Sequence, residues 1–325
     1  MELICPAGTP SVLRAAVDAG ADAVYCGFRD RTNARNFPGL NFDRNEMRAG
    51  VDYAHAHGAR VLVAINTFPQ AGFEDLWQRA VDDAATLGAD ALILADIGLI
   101  HYAARSHPDT RLHLSVQAAA TTPDAIRFFV ENFGVKRVVL PRVLTVEEIA
   151  KLTRSIMCET EVFAFGGMCV MAEGRCSLSS YATGLSPNMN GVCSPASHVS
   201  YEPRGGSLTS RLGDFTINIF AEGEPAAYPT LCKGRFNTSE GGGYLFEEPV
   251  SLDARTVLPQ LRAAGVAALK IEGRQRGRAY VERVVRSFRA ALDAGSADDT
   301  YIAADLADMS EGGATTEGAY RRSWR

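Results

Sequence analysis

The chain has 325 residues, of which 46% are hydrophobic and 22% charged; that composition supports a real core and excludes disorder. Thirty-three basic against thirty-eight acidic residues leave a formal charge of −5, so no basic excess marks a phosphate-gripping protein, and composition argues against nucleic acid as a partner. No apolar run reaches the roughly 18–20 residues of a membrane helix, and Met1-Glu2-Leu3-Ile4-Cys5-Pro6 is not the start of a secretory leader. A cytoplasmic, reducing location is therefore expected, in which the seven cysteines act as ligands, nucleophiles or core residues rather than disulfides.

The first strand signal is Leu3-Ile4-Cys5. From there one pattern repeats: a helical stretch closing on glycine, then a short run rich in Val, Ile and Leu. Residues 14–20 precede Ala23-Val24-Tyr25-Cys26, residues 45–58 precede Val61-Leu62-Val63-Ala64-Ile65, and residues 74–88 precede Ala91-Leu92-Ile93-Leu94. Leu112-His113-Leu114-Ser115 is the next run. Residues 123–134 precede Val138-Val139-Leu140, and Val162-Phe163-Ala164-Phe165 follows. Residues 257–265 precede Val266-Ala267-Ala268-Leu269-Lys270-Ile271. The glycines fall where a helix takes a left-handed C-terminal cap. Continuous apolar runs suit strands buried on both faces of a parallel sheet. Eight such strands predict an α/β fold, a (β/α)8 TIM-like barrel; an open doubly wound sheet shares the local pattern and is the alternative.

The regularity breaks between the seventh and eighth strands, where residues 166–253 form an insertion. It carries Gly-rich stretches, strand-like pieces at residues 198–202 and 244–247, and four of the seven cysteines. A long insertion at the C-terminal end of a barrel strand is where function usually sits. The polar tail, residues 298–325, either hangs loose or folds back on the barrel. The whole chain, residues 1–325, is expected to be a single barrel domain.

Residues just after the strands line one rim of such a barrel. They are Asn33, Arg35 and Asn36, then Asn66, Asp96, Gln117, Arg142, Glu272 and Arg274. This set suits a small anionic or polyhydroxylated molecule, since Arg forms forked contacts with carboxylates. The plainer reading is that these groups pair with one another or cap helices. Cys169, Cys176, Cys193 and Cys232 lie in the insertion, separated by six, sixteen and thirty-eight residues. Their spacing matches neither a zinc ribbon nor a bacterial ferredoxin run. Four thiolates beside a barrel mouth suit iron–sulfur or zinc, and spacing alone leaves both open. Cys5, Cys26 and Cys158 lie on or beside strands and read as small core residues. Ala54-His55-Ala56-His57-Gly58 sits at a helix C-terminus, where polar residues are common. The sequence has no H-E-x-x-H, G-x-S-x-G or Walker loop.

Glu161-Val162-Phe163-Ala164-Phe165-Gly166-Gly167-Met168-Cys169, followed by Gly174-Arg175-Cys176-Ser177-Leu178-Ser179, closely resembles the signature of the peptidase U32 family, with Gly167 where that signature has Ser or Ala. Lys270-Ile271-Glu272-Gly273-Arg274, with Tyr280 and Val284-Val285, resembles its other hallmark. Asp30-Arg31-Thr32-Asn33-Ala34-Arg35-Asn36-Phe37, Met171-Ala172-Glu173-Gly174-Arg175-Cys176 and Thr315-Thr316-Glu317-Gly318-Ala319-Tyr320 resemble the branch of the family that serves ubiquinone biosynthesis (the UbiU type). That resemblance implies a [4Fe–4S] cluster on Cys169, Cys176, Cys193 and Cys232. It also implies a second U32 protein of the UbiV type as heterodimer partner, and oxygen-independent hydroxylation of a polyprenylated ring precursor under anaerobic conditions. Prephenate is the oxygen donor it implies, and as a dicarboxylate it suits Arg35, Arg142 and Arg274. Related members hydroxylate RNA bases, which is the alternative. A collagenase-like protease and a non-catalytic cluster-bearing scaffold are further ones, although no nucleophile–base pair or catalytic zinc pattern supports peptidase chemistry.

Overall fold

Eight short strands that must each bury two faces leave the chain few arrangements, and the computed structural model shows which one it takes. It describes residues 1–169, 176–239, 241–294 and 306–321. The first half alternates β1 (Glu2–Pro6), α1 (Pro10–Asp18), β2 (Ala23–Cys26), α2 (Arg44–Ala56), β3 (Arg60–Ile65), α3 (Asp75–Thr86), β4 (Ala91–Leu94) and α4 (Ile97–Ser106). It continues through β5 (Arg111–Leu114), α5 (Pro123–Phe133), β6 (Arg137–Val139), α6 (Val146–Ser155) and β7 (Glu159–Gly167). After α7 (Leu178–Thr183) and α8 (Pro187–Asn190) come two small antiparallel units. These are β8 (Val199–Arg204) with β9 (Ser207–Leu212) and β10 (Phe215–Phe220), then the hairpin of β11 (Arg235–Thr238) and β12 (Gly241–Tyr244). The chain returns through β13 (Ser251–Asp253), α9 (Leu258–Ala263), β14 (Ala268–Ile271), α10 (Arg278–Asp293) and β15 (Thr315–Thr316).

β1 to β7 and β14 pair in parallel, and β14 pairs with both β1 and β7. That closure makes the (β/α)8 barrel and excludes the open sheet. Short side-chain caps start the helices where the strands end. Asp43 with Glu46 and Thr145 with Glu148 form reciprocal capping boxes on α2 and α6. Asp96 caps α4 by accepting from Leu99 N at 2.8 Å, so this rim residue is structural.

Alternation along the strands divides the core. Leu3, Cys5, Val24, Cys26, Val61, Val63, Leu92 and Leu114 face outward into the layer under the helices, which confirms Cys5 and Cys26 as buried core residues. Ile4, Ala23, Tyr25, Leu62, Ala64, Ala91, Ile93 and Ala268 form a second cluster inside the barrel. The remaining interior is charged. Ile93 stands in register with His113, His113 with Arg137, and Ala268 with Glu161. Glu161 has no exposed surface; Lys270 Nζ donates to it at 2.6 Å and Arg137 at 3.4 Å. Arg137 also reaches Glu2 at 2.7 Å and Glu159 at 2.6 Å.

Three boundaries differ from expectation. β7 runs to Gly167 because β13 pairs antiparallel with its end, Ser251 opposite Gly167 and Asp253 opposite Phe165. The insertion thus leaves and re-enters on one strand. The expected strand at residues 244–247 lies earlier, as β12, because Gly241, Gly242, Gly243 and Tyr244 pair with β11; ladder bonds need backbone, not side chains. The eighth strand begins at Ala268 rather than Val266, whose amide closes the preceding turn on Leu261 O. The described part of the tail folds back. β15 pairs with β13, and Leu306 and Tyr320 are buried.

Two outcomes follow. Glu161→Ala leaves Lys270 and Arg137 buried without their shared carboxylate and should cost about 3–5 kcal/mol in urea unfolding. Pairing it with Lys270→Met should recover part of that loss. His113 is buried with Nδ1 unpartnered among the described residues, and burial, then Arg137 and Arg111, hold its pKa well below the ordinary 6.5. Its contribution is fully present above 6.5 and is lost as pH falls below that value, by up to about 1.4 kcal/mol per pH unit. His113→Gln should flatten this part of a melting-temperature profile measured from pH 7.5 to 5.

Candidate functional site at the barrel mouth

Glycines let backbone and side chains converge at the C-terminal mouth. A Cβ on Gly8 would overlap the Arg274 carbonyl oxygen. One on Gly166, at φ +123°, would lie 2.6 Å from Glu272 Cβ. These approaches seat the end of β14 against β1 and β7. Two and four residues beyond Lys270, Glu272 and Arg274 then enter the mouth.

Asn33 organises the loop after β2. It is fully buried, donates Nδ2–H to Phe28 O at 2.6 Å, and accepts at Oδ1 from Arg35 N and from Arg274 Nη1 at 3.1 Å. Asn66 accepts from Ala34 N at 3.0 Å and donates to Ser115 Oγ at 3.2 Å. Asn36 is half-buried where the insertion docks. Gln117 lies in a short turn capped by Ser115. Its Oε1 is buried and without a partner among the described residues. Ala119, two residues on, holds a left-handed φ of +53°, a strained conformation for a residue with a Cβ.

The charges are unequal. Arg35 reaches Glu272 Oε1 at 3.4 Å. Burial works against the Glu272 charge, but Arg35, then Arg142 and Arg276, hold its carboxyl below the usual range. Arg142 lies over the Phe163 ring at 3.5 Å, a close cation–π contact. Arg274 is 4% exposed, and no carboxylate stands within ion-pair distance of it among the described residues. Burial pulls its pKa down to about 10, the mark of a desolvated cation without full compensation. The floor under it is Tyr25, whose hydroxyl donates to Ile271 O at 2.9 Å. Lys270 Nζ stands 3.9 Å and Arg274 5.6 Å from the Tyr25 ring centroid.

Asn33, Arg35, Asn66, Gln117, Arg142, Glu272 and Arg274 therefore do converge. Tyr25, Ser115, Arg276, Lys233 and Glu311 join them without having been singled out in the sequence. For Tyr25 the signal was available, because strand alternation places it on the face of Ala23. For Glu311 it was not. Its carboxylate pairs with Lys233 and lies 3.5 Å from Arg276, contacts made only by the returning tail.

The four insertion cysteines share the neighbourhood of this mouth. Burial raises the Cys193 pKa, Arg35 opposes it, and Cys176 adds to it. Burial, then Cys169, push Cys232 up to about 11. Their mutual electrostatic influence and soft donor chemistry fit a shared metal or iron–sulfur group. Among the described residues, no group of three or more His, Cys, Asp or Glu side chains is already arranged to hold a metal ion. Residues 170–175, including Glu173 and Arg175 of the motif between Cys169 and Cys176, lie outside the described residues.

The family model described as peptidase family U32 matches residues 8–321. The chain is 32% identical to tRNA hydroxylation protein P of Escherichia coli, over 99% of this chain and 74% of that one. It is 31% identical to tRNA hydroxylation protein P1 of Bacillus subtilis, over 91% and 64%. A 23S rRNA 5-hydroxycytidine synthase of Escherichia coli is 29% identical, over 90% of this chain and 39% of that one. No helix among the described residues is long and apolar enough to cross a membrane.

Gly191, at φ +79°, abuts Asn33 O so closely that a Cβ would overlap it. Gly191→Ala should therefore lift the cysteine-bearing segment off the mouth, at a cost of about 1–3 kcal/mol for the strained backbone. Hydrogen exchange should quicken at residues 188–194 while β1 to β5 keep wild-type protection.

Proposed function

The chain belongs to the peptidase U32 family, and from that premise we propose that it takes part in hydroxylating an aromatic ring, with an RNA base as the substrate class best supported. The observation that carries this reading is the near full-length similarity to tRNA hydroxylation proteins, joined to a mouth on which amides and guanidiniums converge. Whole-chain charge weighs less than it did on the sequence alone, since relatives named for RNA hydroxylation cover nearly all of this chain.

In this reading Cys169, Cys176, Cys193 and Cys232 hold a [4Fe–4S] cluster, which supplies one-electron transfer when bound. Arg274 and Arg142 bind a small carboxylate such as prephenate, the proposed oxygen donor. Arg274 suits that task because its buried charge has no carboxylate partner among the described residues. Gln117 offers an unsatisfied amide oxygen to a donor on the bound ring. Glu272 stays ionised and holds Arg35 in place.

One observation favours a second reading, the ring of a polyprenylated ubiquinone precursor with a UbiV-type partner. Arg204, Arg211, Lys233 and Arg235, the Lys and Arg side chains among the described residues of the insertion, are paired with Glu202, Glu311 and Glu224, so the described part of the insertion offers no free Lys or Arg to grip phosphates.

Anaerobic growth of a deletion strain separates the two readings. Loss of a hydroxylated tRNA or rRNA nucleoside by mass spectrometry, with quinone content unchanged, is expected. Loss of ubiquinone alone would install the second reading. Arg274→Ala and Arg274→Lys should both abolish the activity while soluble yield and iron content stay at wild-type levels. Removing the guanidinium leaves a bound carboxylate unpaired at roughly 2–5 kcal/mol, and an ammonium cannot reproduce a forked contact.

A further inference from the structure

The loop holding Arg35 and the segment holding Cys193 are fastened together on both sides of those residues. Gly191 abuts Asn33 O, and a Cβ there would stand 3.3 Å from Asn36 Cβ. Phe68 N donates to Asn188 O at 3.0 Å. On the other side, the Tyr228 hydroxyl donates to Ser194 O at 2.8 Å, while its ring meets Phe37 edge-on at 6.4 Å. Arg35 is fixed at its backbone as well: its N–H donates to Asn33 Oδ1 at 3.2 Å and its carbonyl accepts from Asn41 Nδ2 at 2.9 Å. Its guanidinium spans to Glu272 on the opposite wall at 3.4 Å. The Arg35 guanidinium thus meets Glu272 from a loop that is fastened alongside the Cys193 segment. Lys233, the chain neighbour of Cys232, is not free for that place, because Glu311 engages it.

We propose that Arg35 is a positioning residue that serves as counter-charge to the four-cysteine group, and that Glu272 sets how much of that charge the group receives. This rests on the reading that the cysteines hold a [4Fe–4S] cluster. A cluster with four thiolates is anionic and gains one negative charge on reduction, so a fixed cation beside it favours the reduced form. A carboxylate on the far side of that cation weakens the effect. Partial burial strengthens both influences, since charges in a low-dielectric site interact more strongly than in water.

The test uses the full chain, reconstituted without oxygen with ferrous iron and sulfide and titrated with dithionite under electron paramagnetic resonance. Wild type, Arg35→Met, Arg35→Lys and Glu272→Gln are compared. Arg35→Met should shift the one-electron reduction equilibrium about tenfold toward the oxidised form, which is about 59 mV. Glu272→Gln should shift it the opposite way, and Arg35→Lys should fall between wild type and Arg35→Met. A loss of packing alone would not produce shifts of opposite sign. Equal potentials in all four proteins, or shifts of one sign in Arg35→Met and Glu272→Gln, would overturn the proposal while leaving the cluster reading in place. Should Arg35→Met fail to retain iron, the Glu272→Gln shift decides alone. A wild-type chain that takes up no iron would overturn the cluster reading and this proposal together.

Discussion

Closing an eight-stranded sheet forces β14 against β7, and the interior of that seam is ionic. Lys270 and Glu161 meet there at 2.6 Å with almost no solvent contact. An isolated charge at that depth would carry a large desolvation cost, so each is tolerable only because the other is present. Arg137 shares the carboxylate and passes the network down to Glu2 and Glu159 at the base of the barrel. Apolar side chains would also fill this space, and mutual hydrophobic packing holds the other half of the interior. A charged seam, however, pairs only in one register, whereas apolar side chains tolerate a slip.

Register at the seam fixes the mouth. Glu272 and Arg274 follow Lys270 just past the end of β14, so any slip of β14 would move both. Gly8 and Gly166 allow the close approach that puts them there, and Asn33 then binds Arg274 from the neighbouring loop. The result is a rim where one carboxylate is surrounded by several guanidiniums and stays ionised despite burial. The excess of buried positive charge suits an anionic visitor.

The insertion and the tail complete the site from outside the barrel. Because β13 returns along the end of β7, the cysteine-bearing segment is anchored at both ends on a barrel strand. β15 then adds to β13, which brings Glu311 over the mouth to meet Lys233 and Arg276. Tyr320 donates to Phe163 O and buries its ring, so the tail is part of the wall of this site.

Most of the fold was legible in the chain itself. Glycine-terminated helices alternating with continuous apolar runs mark parallel strands, and local propensity and burial act within a few residues of each position. The rim residues were legible for the same reason, since the residue after a barrel strand faces the mouth. Local pattern could not choose between a closed barrel and an open sheet, because that choice depends on β14 meeting β7 more than a hundred residues away. Nor could it place the hairpin of Gly241, Gly242 and Gly243, where backbone pairing alone makes the strand. It did not reveal that Arg35 faces Glu272, or that Glu311 reaches the mouth. Each of those contacts joins segments far apart in sequence, and only tertiary packing, paid for by burial and register, brings their charges within reach of one another.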